Sequence, residues 1–259
     1  MTFLEGILAR KREEVAARRA AEPDGELEAR ARAAPPPRGF EAALSLPGGP
    51  ARIIAEVKRA SPSAGAIAAG LDAPAQARRY AAAGAAAISV LTDGPGFGGS
   101  LADLAAVRAA VGVPLLRKDF VVDRYQLLEA RAAGADAALL IVAALGDDAL
   151  RALLDDCSAL GLAALVEVHD AAEADRALAA GARIVGVNNR DLHTFAVDLA
   201  TSERILPRLP DGVRGVAESG VRSPEDARRL RRAGAANLLV GEALVRAADP
   251  GALIREMTA

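Results

Sequence analysis

The chain has 259 residues, of which 52% are hydrophobic and 25% charged, and its formal net charge is -2. This composition is typical of a globular protein with a sizeable core, and it excludes a disordered chain and an overall positive field for nucleic acid or anionic membranes. The single cysteine excludes an intramolecular disulfide and a thiolate zinc cluster.

The opening residues predict an amphipathic helix, because apolar positions recur there at helical spacing. The residues expected to be buried are Leu4, Ile7, Leu8 and Val15, and Lys11 falls at the same helical spacing. Charged residues follow at once, so the stretch does not resemble a signal peptide, and no run approaches the roughly 18 to 20 apolar residues of a membrane helix. We therefore expect a cytoplasmic protein without a membrane partner.

Four Ala-Gly-Ala triplets that come directly before an apolar run are the strongest repeat in the chain. They are centred on Gly84, Gly134, Gly181 and Gly234, and each precedes a short apolar run. The glycine suits the left-handed turn that closes a helix, and the run that follows is expected to be a buried strand. The glycines lie about 50 residues apart, roughly twice the length of a strand and helix, which predicts one further strand in each interval.

The intervening strands are predicted at residues 52–57, 113–117, 162–166 and 214–217, which gives eight strands in all. Near-continuous apolar strands are typical of a parallel sheet covered by helices, and eight of them close readily into a barrel. We predict an α/β fold in a single domain of residues 1–259, in which an N-terminal helical extension of residues 1–50 precedes a (β/α)₈ TIM barrel of residues 51–259. A doubly wound open sheet is the alternative.

Polar residues and glycines cluster where the predicted strands end, and in such barrels active sites lie at the carboxyl ends of the strands. Two lysines and three glutamates converging on one mouth can serve as general acids and bases, although any one of them alone is ordinarily a solvated strand end. In chain order the candidates are Glu56, Lys58, Ser61, Lys118, Glu167, Asn188, Arg190, Glu218, Ser219, Gly220, Gly241 and Glu242.

The last two strand ends predict a phosphate site. Ser219-Gly220 and Gly241-Glu242 lie where barrels commonly bind phosphate, since glycine lets backbone N–H groups approach an anion. Simple turn geometry is the alternative for either glycine alone. The expected partner is therefore a small phosphorylated molecule, and the arginine run at residues 228–232 is interpreted as a solvated helix face rather than a nucleic-acid site.

The remaining reactive side chains predict neither a metal nor a cofactor site. His169 and His193 lack a carboxylate cluster at ligand spacing, so supporting or solvated roles are expected for both. Cys157 lies within a helical pattern, which favours packing over catalysis. No glycine-rich dinucleotide motif follows the first strand, where Lys58-Arg-Ala-Ser-Pro stands instead.

The strand-end motifs together resemble those of the indole-3-glycerol-phosphate synthase family. The matching segments lie at residues 54–63, 97–100, 116–120, 165–169, 186–192 and 217–221, in the family's order and over the whole chain. The resemblance implies a cofactor-independent carboxy-lyase of tryptophan biosynthesis. Its expected reaction converts 1-(2-carboxyphenylamino)-1-deoxyribulose 5-phosphate to indole-3-glycerol phosphate, carbon dioxide and water.

The resemblance also implies roles for the candidate residues. Lys118 is expected to protonate the ketone during ring closure, and Glu167 to be the base of the later dehydration. Lys58 is expected to contact substrate and is a candidate acid for loss of the hydroxyl, with Glu56 shaping the charge around the lysines. The residues expected to position substrate are Ser61, Asn188, Arg190 and Glu218, and those expected around the phosphate are Ser219, Gly220, Gly241 and Glu242.

Two positions depart from the family pattern. Many members carry lysine where this chain has Ala64, and some carry serine where it has Glu242. At both positions backbone contacts to phosphate are therefore expected rather than side-chain contacts. The family is also expected to place an N-terminal helix over the barrel mouth, with Lys11 facing the substrate region and the apolar residues packed on the strand-end loops.

Two other functions fit parts of the pattern. Phosphoribosylanthranilate isomerase would share the phosphate site, but it is expected to carry a cysteine at the end of the first strand, where this chain has Glu56-Val-Lys58. A sugar-phosphate sensor would keep the phosphate loops without needing Lys118 and Glu167.

Overall fold

The computed structural model describes residues 2–62, 65–192 and 194–259. Its main sheet is a closed parallel barrel in which the first strand pairs with both the last and the second, Ile54 lying opposite Leu239 and Ala87. The strands are β1 (Arg52–Val57), β2 (Ala87–Leu91), β3 (Leu115–Lys118), β4 (Ala137–Ile141), β5 (Ala163–Val168), β6 (Ile184–Asn188), β7 (Arg214–Glu218) and β8 (Asn237–Val240). The predicted (β/α)₈ barrel is confirmed, and closure rules out the open doubly wound sheet.

Helices precede the barrel and cover its outside, and a short hairpin, Ala60–Ser61 with Gly65–Ala66, follows β1. Three helices come before β1: α1 (Phe3–Ala21), α2 (Asp24–Ala33) and α3 (Phe40–Ala43). The others are α4 (Ala73–Ala82), α5 (Leu101–Ala110), α6 (Arg124–Ala132), α7 (Asp147–Ala159), α8 (Ala171–Ala179), α9 (Ala200–Ile205), α10 (Pro224–Arg232), α11 (Glu242–Arg246) and α12 (Pro250–Thr258). None of the helices in residues 2–62, 65–192 and 194–259 has the length and apolar character needed to cross a bilayer.

The four triplet glycines end helices as predicted. Gly84, Gly134, Gly181 and Gly234 have φ of 94°, 88°, 93° and 95°, and they follow α4, α6, α8 and α10. Only glycine adopts this left-handed backbone without strain. The alanine that follows each glycine is buried as the chain enters the next strand.

Several strands extend further than their apolar runs predict. β5, β6 and β7 continue through Glu167, Asn188 and Glu218, because backbone pairing in the barrel does not depend on side-chain polarity. At the end of β3, the amide of Thr92 donates to the carbonyl of Lys118 over 3.1 Å. These candidate residues therefore lie on rigid strands rather than on loops.

Helix α1 lies over the carboxyl ends of β2 and β3. Thr2 and Glu5 form a capping box at its start, and the four apolar residues predicted to be buried, Leu4, Ile7, Leu8 and Val15, are buried. Lys11 is buried as well. Lys11 Nζ lies 2.5 Å from Asp93 and 2.9 Å from Asp119, which follow β2 and β3. A buried ammonium requires such partners, so these contacts fix the helix over the barrel mouth.

The other two helices of the extension lie elsewhere, so the prediction of a segment over the catalytic face holds for α1 alone. α2 packs Leu27 and Ala31 against α6 on the side of the barrel. α3 closes the opposite end, where Phe40 joins the cluster inside the barrel and Glu41 pairs with Arg214 at the start of β7 over 2.7 Å.

Candidate active site

A cavity of about 530 Å³ opens at the carboxyl ends of the strands. It brings together all twelve candidate residues predicted from the sequence: Glu56, Lys58, Ser61, Lys118, Glu167, Asn188, Arg190, Glu218, Ser219, Gly220, Gly241 and Glu242. They come from β1, β3, β5, β6, β7 and β8 and the residues that follow these strands. Ala64, the first departure from the family pattern, lies outside the described residues.

Lys118 lies at the centre of the charged group. Its Nζ is 3.0 Å from Glu167 Oε2 and 3.3 Å from Glu218 Oε2, and only 15% of its side chain is exposed. Burial by itself lowers the pKa of Lys118, but the negative charges of Glu167, Glu218 and Glu56 outweigh burial and raise the pKa above its usual value. Lys118 is therefore a fixed ammonium that could donate a proton.

Glu167 is surrounded by donors. Lys118 contacts its Oε2, while Asn188 Nδ2 donates to its Oε1 over 3.0 Å. Burial raises the pKa of Glu167, yet Lys118, His169 and Asn188 outweigh this effect and hold the pKa well below its usual range. The group is thus a carboxylate, the form that a general base requires.

Glu218 has a different environment although it shares the same lysine. Lys118 approaches close enough for an ion pair, but it is not aligned for a hydrogen bond, and neither carboxyl oxygen has a hydrogen-bond donor among the described residues. Burial raises the pKa of Glu218 to about 8; Lys118 opposes this effect and the charge of Glu167 reinforces it. The two carboxyl groups around the one ammonium therefore differ widely in their affinity for a proton.

Glu56 and Lys58 form a second pair, with Lys58 Nζ 2.9 Å from Glu56 Oε1. Burial raises the pKa of Glu56, but Lys58 and Lys118 outweigh it and lower the pKa overall. The pair packs against the backbone of Gly241, where a Cβ atom would lie 2.5 Å from Glu56 Oε1. Any larger residue at position 241 would displace these side chains.

A second glycine makes room for Glu218. A Cβ atom at Gly186 on β6 would lie 2.0 Å from Glu218 Oε1. Gly186 was not among the predicted site residues, although a glycine inside an apolar strand is a signal of close approach by another group.

The loop after β7 has an unusual backbone. Ser219 and Gly220 both have positive φ, 61° and 82°. The left-handed conformation costs a serine roughly 1 kcal/mol, so other contacts must hold it. Asn189 supplies them: its buried Nδ2 donates to the carbonyls of Glu218 and Ser219 over 3.0 and 3.1 Å.

His169 and Cys157, which were predicted to have supporting and packing roles, both lie among the described residues. Nδ1 of His169 lies 3.1 Å from Glu173 and its Nε2 lies 3.3 Å from Glu167 Oε1, where poor alignment makes the contact an ion pair rather than a hydrogen bond. His169 therefore supports Glu167, whereas His193 lies outside the described residues. Cys157 is buried in α7, as predicted, and burial raises its thiol pKa to about 12.

Several cavity residues were not among the sequence candidates. They include Phe3, Asp93, Phe97, Phe120, Arg222 and Arg246. Asp93 and Phe120 follow strands, so strand-end position was an available signal for both. Phe3 and Arg246 lie on helices, and only the packing of α1 and α11 brings them to the cavity.

The family profile described as indole-3-glycerol phosphate synthase matches residues 4–257. The chain belongs to this family. Among proteins named indole-3-glycerol phosphate synthase, the one from Saccharopolyspora erythraea is 53% identical over 257 residues, covering 99% of this chain and 95% of its own length. The one from Mycobacterium ulcerans is 54% identical over 256 residues, covering 99% of this chain and 93% of its own.

Solved structures with the same barrel are more distant. A 3-hexulose-6-phosphate synthase matches with a TM-score of 0.60 at 20% identity, over 80% of this chain and 98% of its own. The N-acetylmannosamine-6-phosphate 2-epimerase from Clostridium perfringens matches with a TM-score of 0.60 at 14% identity, over 80% and 90% of the two chains. At such identities these matches support the fold alone, while the family rests on the full-length sequence relatives.

Proposed function

We propose that this protein converts 1-(2-carboxyphenylamino)-1-deoxyribulose 5-phosphate to indole-3-glycerol phosphate, carbon dioxide and water. The observation that carries the proposal is the position of Lys118 between Glu167 and Glu218, inside a cavity of a member of the synthase family. A buried ammonium beside a buried carboxylate supplies both a proton donor and a proton acceptor.

Ring closure needs the donor. As the aromatic carbon bonds to the ketone carbon, the carbonyl electron pair moves to oxygen, and the ammonium of Lys118 can stabilise that charge and transfer a proton to it. The cationic imine left in the ring accepts the electron pair of the breaking bond to carbon dioxide. The substrate itself therefore both supplies and accepts the electrons that move in ring closure and decarboxylation. For this reason we propose that no cofactor takes part.

Dehydration needs both an acid and a base. We assign protonation of the departing hydroxyl to Lys58, whose ammonium is paired with Glu56, and removal of the ring proton to Glu167. Asn188 and His169 hold Glu167 on the side away from Lys118, so the carboxylate keeps partners when Lys118 turns to substrate. Ser61, Arg190 and Glu218 are proposed to position the substrate.

The phosphate is proposed to bind at the loops after β7 and β8. Ser219 and Gly220 present consecutive left-handed residues there, and Gly241 leaves the backbone open to close approach. Successive backbone N–H groups in such conformations form concave sites for anions. Glu242 lines the same end of the cavity and is expected to contribute its backbone rather than its carboxylate.

We also propose that the whole chain is one cytoplasmic domain, with residues 1–50 folding onto the barrel of residues 51–259. The contacts of α1, α2 and α3 with three different sides of the barrel support this arrangement. If so, residues 1–50 should not unfold in a separate transition in urea, and circular dichroism and tyrosine fluorescence should report the same midpoint.

The decisive experiment supplies the purified protein with the proposed substrate and follows product fluorescence and the release of carbon dioxide. Both should appear at equal rates, and mass spectrometry should identify indole-3-glycerol phosphate. A folded protein that yields neither product would overturn the proposal. Phosphoribosylanthranilate tested in parallel should remain unchanged, since the cysteine expected of the isomerase is buried in α7 at Cys157.

A further inference from the structure

Glu242 and Arg246, which both line the cavity, form an ion pair. They are the first and last residues of α11, one helical turn apart, and Arg246 Nε donates to Glu242 Oε1 over 2.9 Å. Both side chains line the cavity beside the loops proposed to hold phosphate. The pair therefore lies where the substrate's most highly charged group is expected.

A carboxylate in this position is unfavourable for an anion, because like charges at short range repel. Arg246 offsets that charge, and Arg222, which lines the cavity after the Ser219–Gly220 loop, adds a second positive charge. Without Arg246 the charges of Glu242 and Arg222 would cancel, and a phosphate dianion would meet no net attraction from these side chains.

Arg246 can exchange its contact with Glu242 for a contact with phosphate. The side chains of Arg246 and Glu242 are 53% and 40% exposed, and an exposed pair of this kind contributes little to stability. Nε is the nitrogen of Arg246 that donates to Glu242, and Nη1 and Nη2 make no hydrogen bond to the described residues. A guanidinium presents a planar set of donors that matches two phosphate oxygens.

We propose that Arg246 is a phosphate-binding residue of this chain, and that Glu242 is its counter-ion until the phosphomonoester dianion of the substrate displaces it. The inference rests on the proposed function for the identity of the phosphate ester. Arg246 contributes to binding and not to the bonds that change during ring closure, which lie around Lys118. Glu242 competes with phosphate for the same guanidinium, so the two residues have opposite effects on affinity.

The test compares Arg246→Gln, Glu242→Gln and the control Arg228→Gln. Arg228 has the same exposed fraction, 53%, and the same 2.9 Å helical ion pair, with Glu225, but it lies on α10 and is not among the cavity residues. For each protein we would measure kcat and KM, competitive inhibition by inorganic phosphate, and the Kd of inorganic phosphate by calorimetry. Calorimetry needs no turnover, so it tests Arg246 even if the proposed reaction is wrong.

Arg246→Gln should raise KM and the phosphate Kd by about tenfold, the usual effect of losing one charge-assisted contact, with kcat changed less than twofold. Glu242→Gln should lower both constants, and Arg228→Gln should change neither. An Arg246→Gln protein that binds phosphate like the parent, or a Glu242→Gln protein that binds it more weakly, would overturn the inference. A lower Tm in Arg246→Gln with unchanged KM would assign the residue a structural role instead.

Discussion

Lys118 Nζ lies 3.0 Å from Glu167 Oε2, so the proposed acid and the proposed base neutralise each other before substrate enters. The pairing keeps both groups in the charged forms that the reaction needs, inside a site where an isolated charge would be costly. It also means that substrate must draw Lys118 away from Glu167 before a proton can be transferred.

Replacing Lys118 with alanine should lower kcat by roughly 10²- to 10⁴-fold, the usual effect of losing a positioned acid. The change also leaves Glu167 and Glu218 buried without their shared cation. Circular dichroism should therefore accompany the fluorescence assay, to establish that the variant is folded. Turnover within a few-fold of the parent would remove Lys118 from the mechanism.

His169 should make stability depend on pH. Burial lowers the pKa of His169, but Glu167 and Glu173 outweigh it and raise the pKa to about 10 from an ordinary 6.5. Since the folded pKa is the higher one, the stabilising contribution is complete below pH 6.5 and is lost as pH rises toward 10. The difference in Tm between the parent and His169→Asn should shrink over this interval.

The same histidine can be titrated directly. The chain has two histidines, so comparison with His169→Asn assigns the imidazole resonances of His169 in an NMR spectrum. The ring should remain protonated at neutral pH. A ring that titrates near pH 6.5 would contradict the contacts of His169 with the carboxylates of Glu167 and Glu173.

Lys11→Met should destabilise the fold by about 1.5–3 kcal/mol, because Asp93 and Asp119 lose their shared buried ammonium, although Arg10 and Arg117 still pair with them. Urea unfolding measures the loss. Arg12→Met is the matched control on the same helix, since Arg12 is exposed and surface changes usually alter stability by less than about 0.5 kcal/mol. Equal stability of the two variants would mean that the buried contacts of Lys11 do not fix α1.

Phe3→Ala should weaken substrate binding more than it weakens the fold. Phe3 packs edge to face against Phe195 with 5.0 Å between ring centroids, and both rings line the cavity. The intrachain pair contributes only about 0.5–1.5 kcal/mol to the fold, so Tm should fall by a few degrees at most, while loss of the ring from the cavity wall should raise KM. Leu46→Ala is the control, because Leu46 has a similar exposed fraction and is not among the cavity residues. A lower Tm without a change in KM would make α1 a structural element rather than part of the mouth.

The sequence by itself determined the barrel and the members of its candidate site. Four glycine triplets placed the helix ends, because a left-handed turn is a local requirement of the backbone. Polar residues after apolar runs identified the site, because parallel strands direct all their carboxyl ends to one mouth. The buried apolar residues of α1 were also predictable from the sequence, since helical spacing is a local property.

Only the tertiary structure decided how these residues meet. Lys118, Glu167 and Glu218 come from three strands, and their distances follow from the closure of the barrel rather than from sequence spacing. The space left by Gly186 and the approach of Arg246 depend equally on packing. Periodicity tells which face a residue occupies, but the pKa of a buried group depends on neighbours distant in the chain, and those neighbours are set by three-dimensional packing.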